Sequence, residues 1–256
     1  MQTVTGCTIP FKNDTLPAQT GNVRISRFNK TQHQIVGKEI EKLVDKQVLE
    51  LAKSEQGEYI SPIFLVPKKN GTFRLILNLK EFNQNVQYCH FKMETLTAAL
   101  NLIKQDCLMA SVDLKDAYYG VPVYEEFRKF LRFIWNGQLY QFTCLPNGLS
   151  CAPRKYTKMM KPVYASLRRT GHSITGFLDD MLIVADSDSA LADSVQRVLE
   201  MLQTLGFVIN FEKSALQPTT KISYLGFEIE SKSMEVTLPD EKKEKLVLQA
   251  KSLAEI

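Results

Sequence analysis

Apolar residues recur along this chain in two rhythms, and the switches between them mark out its elements. Residues 1–29 show neither rhythm and contain Pro10 and Pro17, so they read as an extended leader. From Thr31 onward Ile35, Val36, Ile40, Leu43, Val44, Val48 and Leu51 recur at three- and four-residue steps with charges between them. That spacing predicts an amphipathic helix of about five turns with Thr31 as its N-cap. Gly57 and Pro62 close the region. Next, Ile63-Phe64-Leu65-Val66-Pro67 and Phe73-Arg74-Leu75-Ile76-Leu77 flank Asn70-Gly71, the pattern of a hairpin. Leu79 to Asn85 reads as a turn region, and a short helix is expected from Leu96 to Ile103 with Thr95 as cap. A strand then runs from Cys107 into Asp113, followed by a turn or short helical segment.

The second half alternates in the same way. Phe130–Trp135 and Gln138–Phe142 surround Asn136-Gly137 and predict a second hairpin. Leu145 to Pro153 is a turn-rich link, and a helix runs from Pro153 to about Arg169, with Pro suited to a first helical position. In Gly176–Asp186 two apolar runs enclose Asp179-Asp180, which places both acids at or beside the tip of a third hairpin. Ala190 to Leu205 is a predicted helix with a stripe of Val195, Val198, Leu199 and Leu202, stopped by Gly206. Val208–Phe211 and Ile222–Ile229 are predicted strands, and a charged helix begins at Asp240. Strand, helix, hairpin, helix, strands gives an α+β fold, with an antiparallel sheet backed by helices on one face. Asp113 and Asp179-Asp180 are then expected on neighbouring strands.

Composition changes this picture little. The 256 residues have ordinary globular proportions of apolar and charged side chains. No apolar run approaches a membrane span and no signal-peptide pattern opens the chain, so no membrane partner is expected. Five cysteines without repeated spacing predict free thiols and a reducing, intracellular compartment. Cys89-His90 has no matching half-site and reads as structural. A net charge of +4 permits a nucleic-acid partner without requiring one. Its distribution says more: between Pro153 and Gly171 stand Arg154, Lys155, Lys158, Lys161, Arg168 and Arg169, with no acid.

Two adjacent carboxylates repel each other. They make sense around a divalent cation, because Mg²⁺ takes hard oxygen ligands and keeps positions open for phosphates. A solvated Asp-Asp turn is the competing reading. Asp113 at a strand end is costly to bury unless paired or metal-bound, although Asp113 or Asp116 could instead cap a helical turn. Around the first Asn-Gly turn, Lys68, Lys69 and Arg74 make the hairpin basic. This is either an exposed hairpin kept soluble by charge or a clamp that grips phosphates.

Taken together, these stretches resemble a reverse transcriptase from about Lys38 to Pro239. Ser111-Val112-Asp113-Leu114-Lys115-Asp116-Ala117-Tyr118 is similar to the family's first catalytic motif. Leu145-Pro146-Asn147-Gly148-Leu149-Ser150-Cys151-Ala152-Pro153 resembles its nucleotide-pocket motif, and Phe177-Leu178-Asp179-Asp180 its aromatic-x-Asp-Asp motif. Lys68-Lys69 and Arg74 match the fingertip positions, and Tyr224-Leu225-Gly226-Phe227 the strand that grips the primer. The strings His90–Glu94, Arg128–Phe133 and Thr157–Val163 look like LTR-type retroelements, nearest to the DIRS-like, tyrosine-recombinase-bearing group. Asn147 departs from the usual Gln or Phe, and Phe177 from the commoner Tyr.

The resemblance implies a right-hand polymerase's fingers and palm, with the thumb absent or only begun. Fingers would occupy 30–88 and 121–152, palm 89–120 and 153–239, and the first thumb helix 240–256. The implied activity is RNA-directed DNA polymerisation for a retrotransposon: dNTPs added to a primer 3′-hydroxyl by two-metal-ion catalysis. The partners would be dNTPs and an RNA or DNA template with its primer. Mg²⁺ would be the cofactor, with Mn²⁺ a possible substitute, held by Asp113, Asp179, Asp180 and the Leu114 carbonyl. Lys68, Lys69, Arg74, Leu114, Asp116, Ala117, Tyr118, Asn147 and Gly148 would form the dNTP pocket. Arg154, Lys155, Lys158, Tyr224, Leu225 and Gly226 would meet primer and template. Tyr118 would crowd a ribose 2′-hydroxyl, with Tyr119 packed in the core. The alternatives are a catalytically impaired palm kept as a nucleic-acid-binding module and, less favoured, an RNA-dependent RNA polymerase.

Overall fold

A computed structural model describes residues 6–19, 25–68 and 71–254. Along the chain its elements begin with α1 (Lys30–Asp45), β1 (Leu49–Leu51), β2 (Ile63–Pro67), β3 (Phe73–Leu77) and α2 (Leu96–Leu100). There follow β4 (Leu108–Asp113), α3 (Glu125–Arg128), β5 (Arg132–Trp135), β6 (Gln138–Phe142) and α4 (Ala152–Arg169). The last are β7 (Ser173–Phe177), β8 (Asp180–Ala185), α5 (Asp188–Thr204), β9 (Ala215–Thr219), β10 (Lys221–Tyr224), β11 (Phe227–Glu230), β12 (Glu235–Thr237) and α6 (Asp240–Ala254). The chain divides into two compact units, Met1–Phe91 with Tyr118–Lys158, and Lys92–Ala117 with Met159–Ile256.

In the first unit β1, β6 and β5 form one antiparallel sheet and β2–β3 a separate hairpin. Asn136 at φ 49° and Gly137 at φ 75° make the β5–β6 connection, the double left-handed turn that matches strand twist. α1 differs from expectation at both ends. Asn29, not Thr31, is its cap: Asn29 Oδ1 accepts from the Gln32 N–H at 2.8 Å while Gln32 Oε1 accepts from the Asn29 N–H at 3.2 Å. The helix stops at Asp45, because Gln47 turns left-handed at φ 58° and the Val48 N–H bonds back to the Leu43 carbonyl at 2.9 Å. Val48 and Leu51, which continue the helical spacing, belong instead to the turn and to β1. The leader is packed where it is described. Cys7, Ile9 and Phe11 are buried, and the Phe11 ring meets Phe130 edge-on at 5.1 Å.

A buried charge fixes this unit further. Arg132, 3% exposed, donates from Nε to Gln141 at 2.8 Å, from Nη1 to Glu58 at 2.6 Å and from Nη2 to Glu55 at 2.6 Å. All three guanidinium nitrogens find acceptors, which is what makes such burial tolerable.

The second unit holds a four-stranded sheet in the order β7-β8-β4-β9, antiparallel throughout, and a smaller sheet β10-β11-β12. α5 covers the first sheet with Leu191, Val195, Val198 and Leu202 buried, close to the predicted stripe. Ala99, Cys107, Met109, Leu182, Val184, Ile222, Tyr224 and Ile229 share one core. Two expectations fail here. Val208–Phe211 forms no strand: only Ile209 bridges to Leu114, and the chain turns again as Ser214 N–H bonds the Asn210 carbonyl at 3.0 Å. Ile222–Ile229 is not one strand but the hairpin β10–β11, folded at Leu225 (φ 48°) and Gly226 (φ 78°). β9 escapes prediction because Pro218 sits within it, as an edge strand permits.

Candidate active site

The site is assembled by the pairing of β4 with β8. Their register runs from Leu108↔Ala185 to Asp113↔Asp180. Directly opposed residues of antiparallel strands project on the same face, so two acids far apart in sequence become neighbours. β7 and β8 close through Phe177↔Asp180, which leaves Leu178 and Asp179 as a two-residue tip. The Leu114 N–H donates to the Asp179 carbonyl at 3.0 Å and carries the ladder past Asp113 to that tip. Leu178 sits left-handed at φ 54°, a position that leucine adopts only under strain. Nothing in its sequence signals this.

The electrostatics are those of crowded acids. Burial pushes the Asp180 carboxyl up to about 6, Asp179 and Asp113 push it the same way, and Lys213 opposes them only in part. A divalent cation would reverse that balance, and carboxylate oxygens are the donors such an ion prefers. The backbone places the three acids together, but the side-chain arrangement stops short of a closed cage. Among the described residues no group of three or more His, Cys, Asp or Glu is already set to hold a metal ion. Asp113 Oδ1 instead accepts from Asn210 Nδ2 at 2.7 Å.

The hairpin that carries Asp179 is anchored from below. Arg168 of α4 reaches Glu94 at 2.6 and 2.7 Å and the Ile174 carbonyl at 2.9 Å. Glu94 also accepts from the Thr175 hydroxyl and, at 3.1 Å, from the Gly176 N–H. Burial pushes the Glu94 carboxyl up, but Arg168, Thr175 and Gly176 outweigh it and hold it below the usual range. Gly176 lies against the Tyr164 ring so closely that a Cβ there would overlap it.

The remaining expected residues divide between the units. Asp113, Leu114, Asp116, Ala117, Asp179, Asp180, Tyr224, Leu225 and Gly226 belong to the second, and Lys68, Arg74, Tyr118, Asn147, Gly148, Arg154, Lys155 and Lys158 to the first. Lys69 lies outside the described residues. Lys68, Arg74 and Lys158 are exposed, and Arg154 and Lys155 half-buried. Asp116, at φ 52°, leads into a 3-10 turn over Ala117–Gly120. Within that turn Tyr118 packs edge-on to Tyr156 at 5.7 Å, and the Tyr119 hydroxyl accepts from Asn147 Nδ2 at 3.3 Å. Both rings are half-buried, so Tyr119 is not the core residue that alternation suggested. Helical geometry, not the extended pattern, governs those two positions. Tyr224 is buried at 4% exposure with its hydroxyl 3.5 Å from the Asp180 carbonyl, and the Leu225-Gly226 tip is half-buried. Sequence reasoning gave no role to Glu94, Asn210, Lys213 or Ser214, because each acts on a distant segment.

Comparison with known proteins bears on the whole arrangement. A family model described as reverse transcriptase (RNA-dependent DNA polymerase) matches residues 66–229. The Pro-Pol polyprotein of Simian foamy virus type 1 is 24% identical over 187 residues, 73% of this chain and 16% of that protein. The Tf2-3 transposon polyprotein of Schizosaccharomyces pombe is 25% identical over 171 residues, 67% of this chain and 13% of that protein. The chain thus spans about a sixth or less of the curated relatives it matches. Among solved structures, a foamy viral protease-reverse transcriptase in complex with double-stranded DNA has a TM-score of 0.78 at 23% identity, over 92% of this chain and 40% of that one. The foamy viral enzyme in complex with an RNA/DNA hybrid has a TM-score of 0.71 at 22% identity, over 87% of this chain and 29% of that one. The mixed α/β fold with its antiparallel sheets is that of reverse transcriptase fingers and palm. With well over half of its length matched in one continuous stretch, the chain belongs to the reverse transcriptase (RNA-dependent DNA polymerase) family.

Proposed function

We propose that this chain is the polymerase part of a retroelement protein and extends a primer 3′-hydroxyl with dNTPs on an RNA or DNA template. The observation that carries the reading is the in-register pair Asp113↔Asp180 with Asp179 at the adjoining tip. Three acids drawn this close, with one carboxyl pushed up to about 6, are a costly arrangement that a divalent cation would relieve. Two divalent ions, Mg²⁺ or Mn²⁺, would supply Lewis-acid stabilisation of the attacking and leaving oxygens. Asp113 and Asp179 would be the shared ligands, with Asp180 and the Leu114 carbonyl completing the set. Arg74, with Lys68 and Lys69, would neutralise the triphosphate, and backbone N–H groups near Asp116 and Ala117 would meet its outer phosphates. Tyr118, Asn147 and Gly148 would bound the sugar and base. Arg154, Lys155 and Lys158 would run along template phosphates, and the turn at Tyr224-Leu225-Gly226 would face the primer. Within the family, the strings around His90, Arg128 and Thr157 support a place nearest to the DIRS-like elements.

Primer extension on RNA and DNA templates, with dNTPs and Mg²⁺, tests the reading. Asp113→Asn should abolish extension while leaving the fold intact, because it removes a hard anionic ligand worth several kcal/mol to the reaction. Extension by Asp113→Asn at the wild-type rate would sink the proposal.

A further inference from the structure

Asn210 is among the few buried polar side chains of the described residues, 7% exposed, and it faces Asp113. Its backbone N–H donates to the Asp113 carbonyl at 2.8 Å, and its Nδ2 donates to Asp113 Oδ1 at 2.7 Å. The same turn supplies Ser214, whose Oγ accepts from the Asp113 N–H at 3.0 Å and donates to the Asn210 carbonyl at 2.8 Å. Asp113 is therefore gripped at its N–H, its carbonyl and one carboxylate oxygen by a single short segment.

That grip has a chemical consequence. The terminal torsion of an aspartate is broad, and its two oxygens are equivalent until one is occupied. A donor on Oδ1 fixes the carboxylate plane and singles out Oδ2. An amide suits this role, because it donates a hydrogen bond without adding a negative charge to a crowded acidic site or a cation that competes with a metal. A carboxylate can only accept, so the partner itself decides that the amide presents Nδ2. We propose that Asn210 is a positioning residue. It holds Asp113 Oδ1 so that Oδ2 is the oxygen offered to a divalent cation shared with Asp179 and Asp180, a role that rests on the metal-dependent reading above.

Mn²⁺ binding to the 256-residue chain tests this without nucleotide or primer. Free Mn²⁺ is read by electron paramagnetic resonance in wild type, Asp113→Asn, Asn210→Ala, Asn210→Ser and Ser214→Ala, each with its thermal melt. Partners behind a metal ligand are worth about 10–100-fold in affinity, so Asn210→Ala should weaken Mn²⁺ binding at least about tenfold. Ser214→Ala loosens the same turn without touching the carboxylate, and its Mn²⁺ affinity should stay within about threefold of wild type even as its melt falls. If Asn210→Ala does not fold, Asn210→Ser carries the same expectation, because its hydroxyl is too short to reach Oδ1. Wild-type Mn²⁺ affinity in the Asn210 variants, where Asp113→Asn has lost it, overturns the positioning role and leaves the polymerase reading intact. A loss in Ser214→Ala as large as that in Asn210→Ala makes the turn merely structural and also overturns it. Equal binding by wild type and Asp113→Asn overturns both readings.

Discussion

Replacing Asp180 with Asn should make the ion-free protein more stable at neutral pH, although the polymerase reading gives that carboxylate a place, the more replaceable one, in the metal set. The Asp180 carboxyl is pushed from 3.8 to about 6, first by burial and then by Asp179 and Asp113, with Lys213 opposing. An acid whose pKa is higher folded than unfolded holds its proton more tightly in the folded state, so ionising it penalises folding. The penalty is absent below about pH 4, grows as the pH rises towards 6, and is complete above that. At about 1.4 kcal/mol per pH unit the displacement sets a ceiling of roughly 3 kcal/mol. Asp180 is only partly buried, and solvent screening reduces this to roughly 1–2 kcal/mol. Urea unfolding of both proteins in EDTA, from pH 4 to pH 8, measures it. The two curves should coincide near pH 4, separate through pH 6, and differ by roughly 1–2 kcal/mol above pH 7, with Asp180→Asn the more stable. Adding Mn²⁺ at pH 7.5 should then raise the wild type more than the variant, because a ligand of the folded state stabilises by mass action. A gap of the same size at every pH, or a more stable wild type in EDTA at pH 7.5, would refute the electrostatic account.

Two other substitutions probe the frame and the sugar pocket. Gly176→Ala puts a Cβ against the Tyr164 ring, with Cε1 only 2.9 Å away, and should cost roughly 1–3 kcal/mol in a urea melt; pairing it with Tyr164→Leu should recover most of that. Tyr118→Ala should lower the ratio of dNTP to rNTP incorporation, whereas Tyr119→Ala should leave the ratio alone. Because Tyr119 is half-buried, its truncation should cost less than the roughly 3–5 kcal/mol of a fully buried ring, as thermal melts of both variants would show.

Much of the fold was legible because its signals are local. The Asn136-Gly137 hairpin stands where the alternation puts it, and β2 and β3 pair with the expected bounds, although Asn70 of their turn lies outside the described residues. Thr95 caps α2 as the sequence suggests, with its side chain accepting from the Ala98 N–H. Failures came where a local signal was missing or imitated. Nothing in Gln47 announces a left-handed residue, so the helical spacing ran on through Val48 and Leu51. At Leu225-Gly226 one apolar run hides a turn, because a single glycine inside a strand pattern has several readings.

The candidate site shows the same division between charge and support. Asp113, Asp179 and Asp180 stand out because a carboxylate at a buried strand end is costly and two adjacent carboxylates repel each other, and both features are visible in a short window of sequence. What holds them is not visible, because it is bought across long separations. Asn210 bonds a side chain 97 positions away, and Glu94 bonds Thr175 across 81. A residue that satisfies a distant segment need not fit the period of its own, so Asn210 passes without a role inside the expected strand Val208–Phe211, and Glu94 inside the string His90–Glu94. Each becomes distinctive only once antiparallel pairing sets the register. A one-residue slip of β4 against β8 would turn Asp113 to the opposite face from Asp180 and take its carboxylate away from the other acids. The bonds from Asn210 and Ser214 grip the backbone of Asp113 itself and so oppose that slip. Both residues of that turn therefore hold the register, but only Asn210 reaches the carboxylate, so loss of Ser214 should weaken the backbone grip and spare the oxygen offered to a metal.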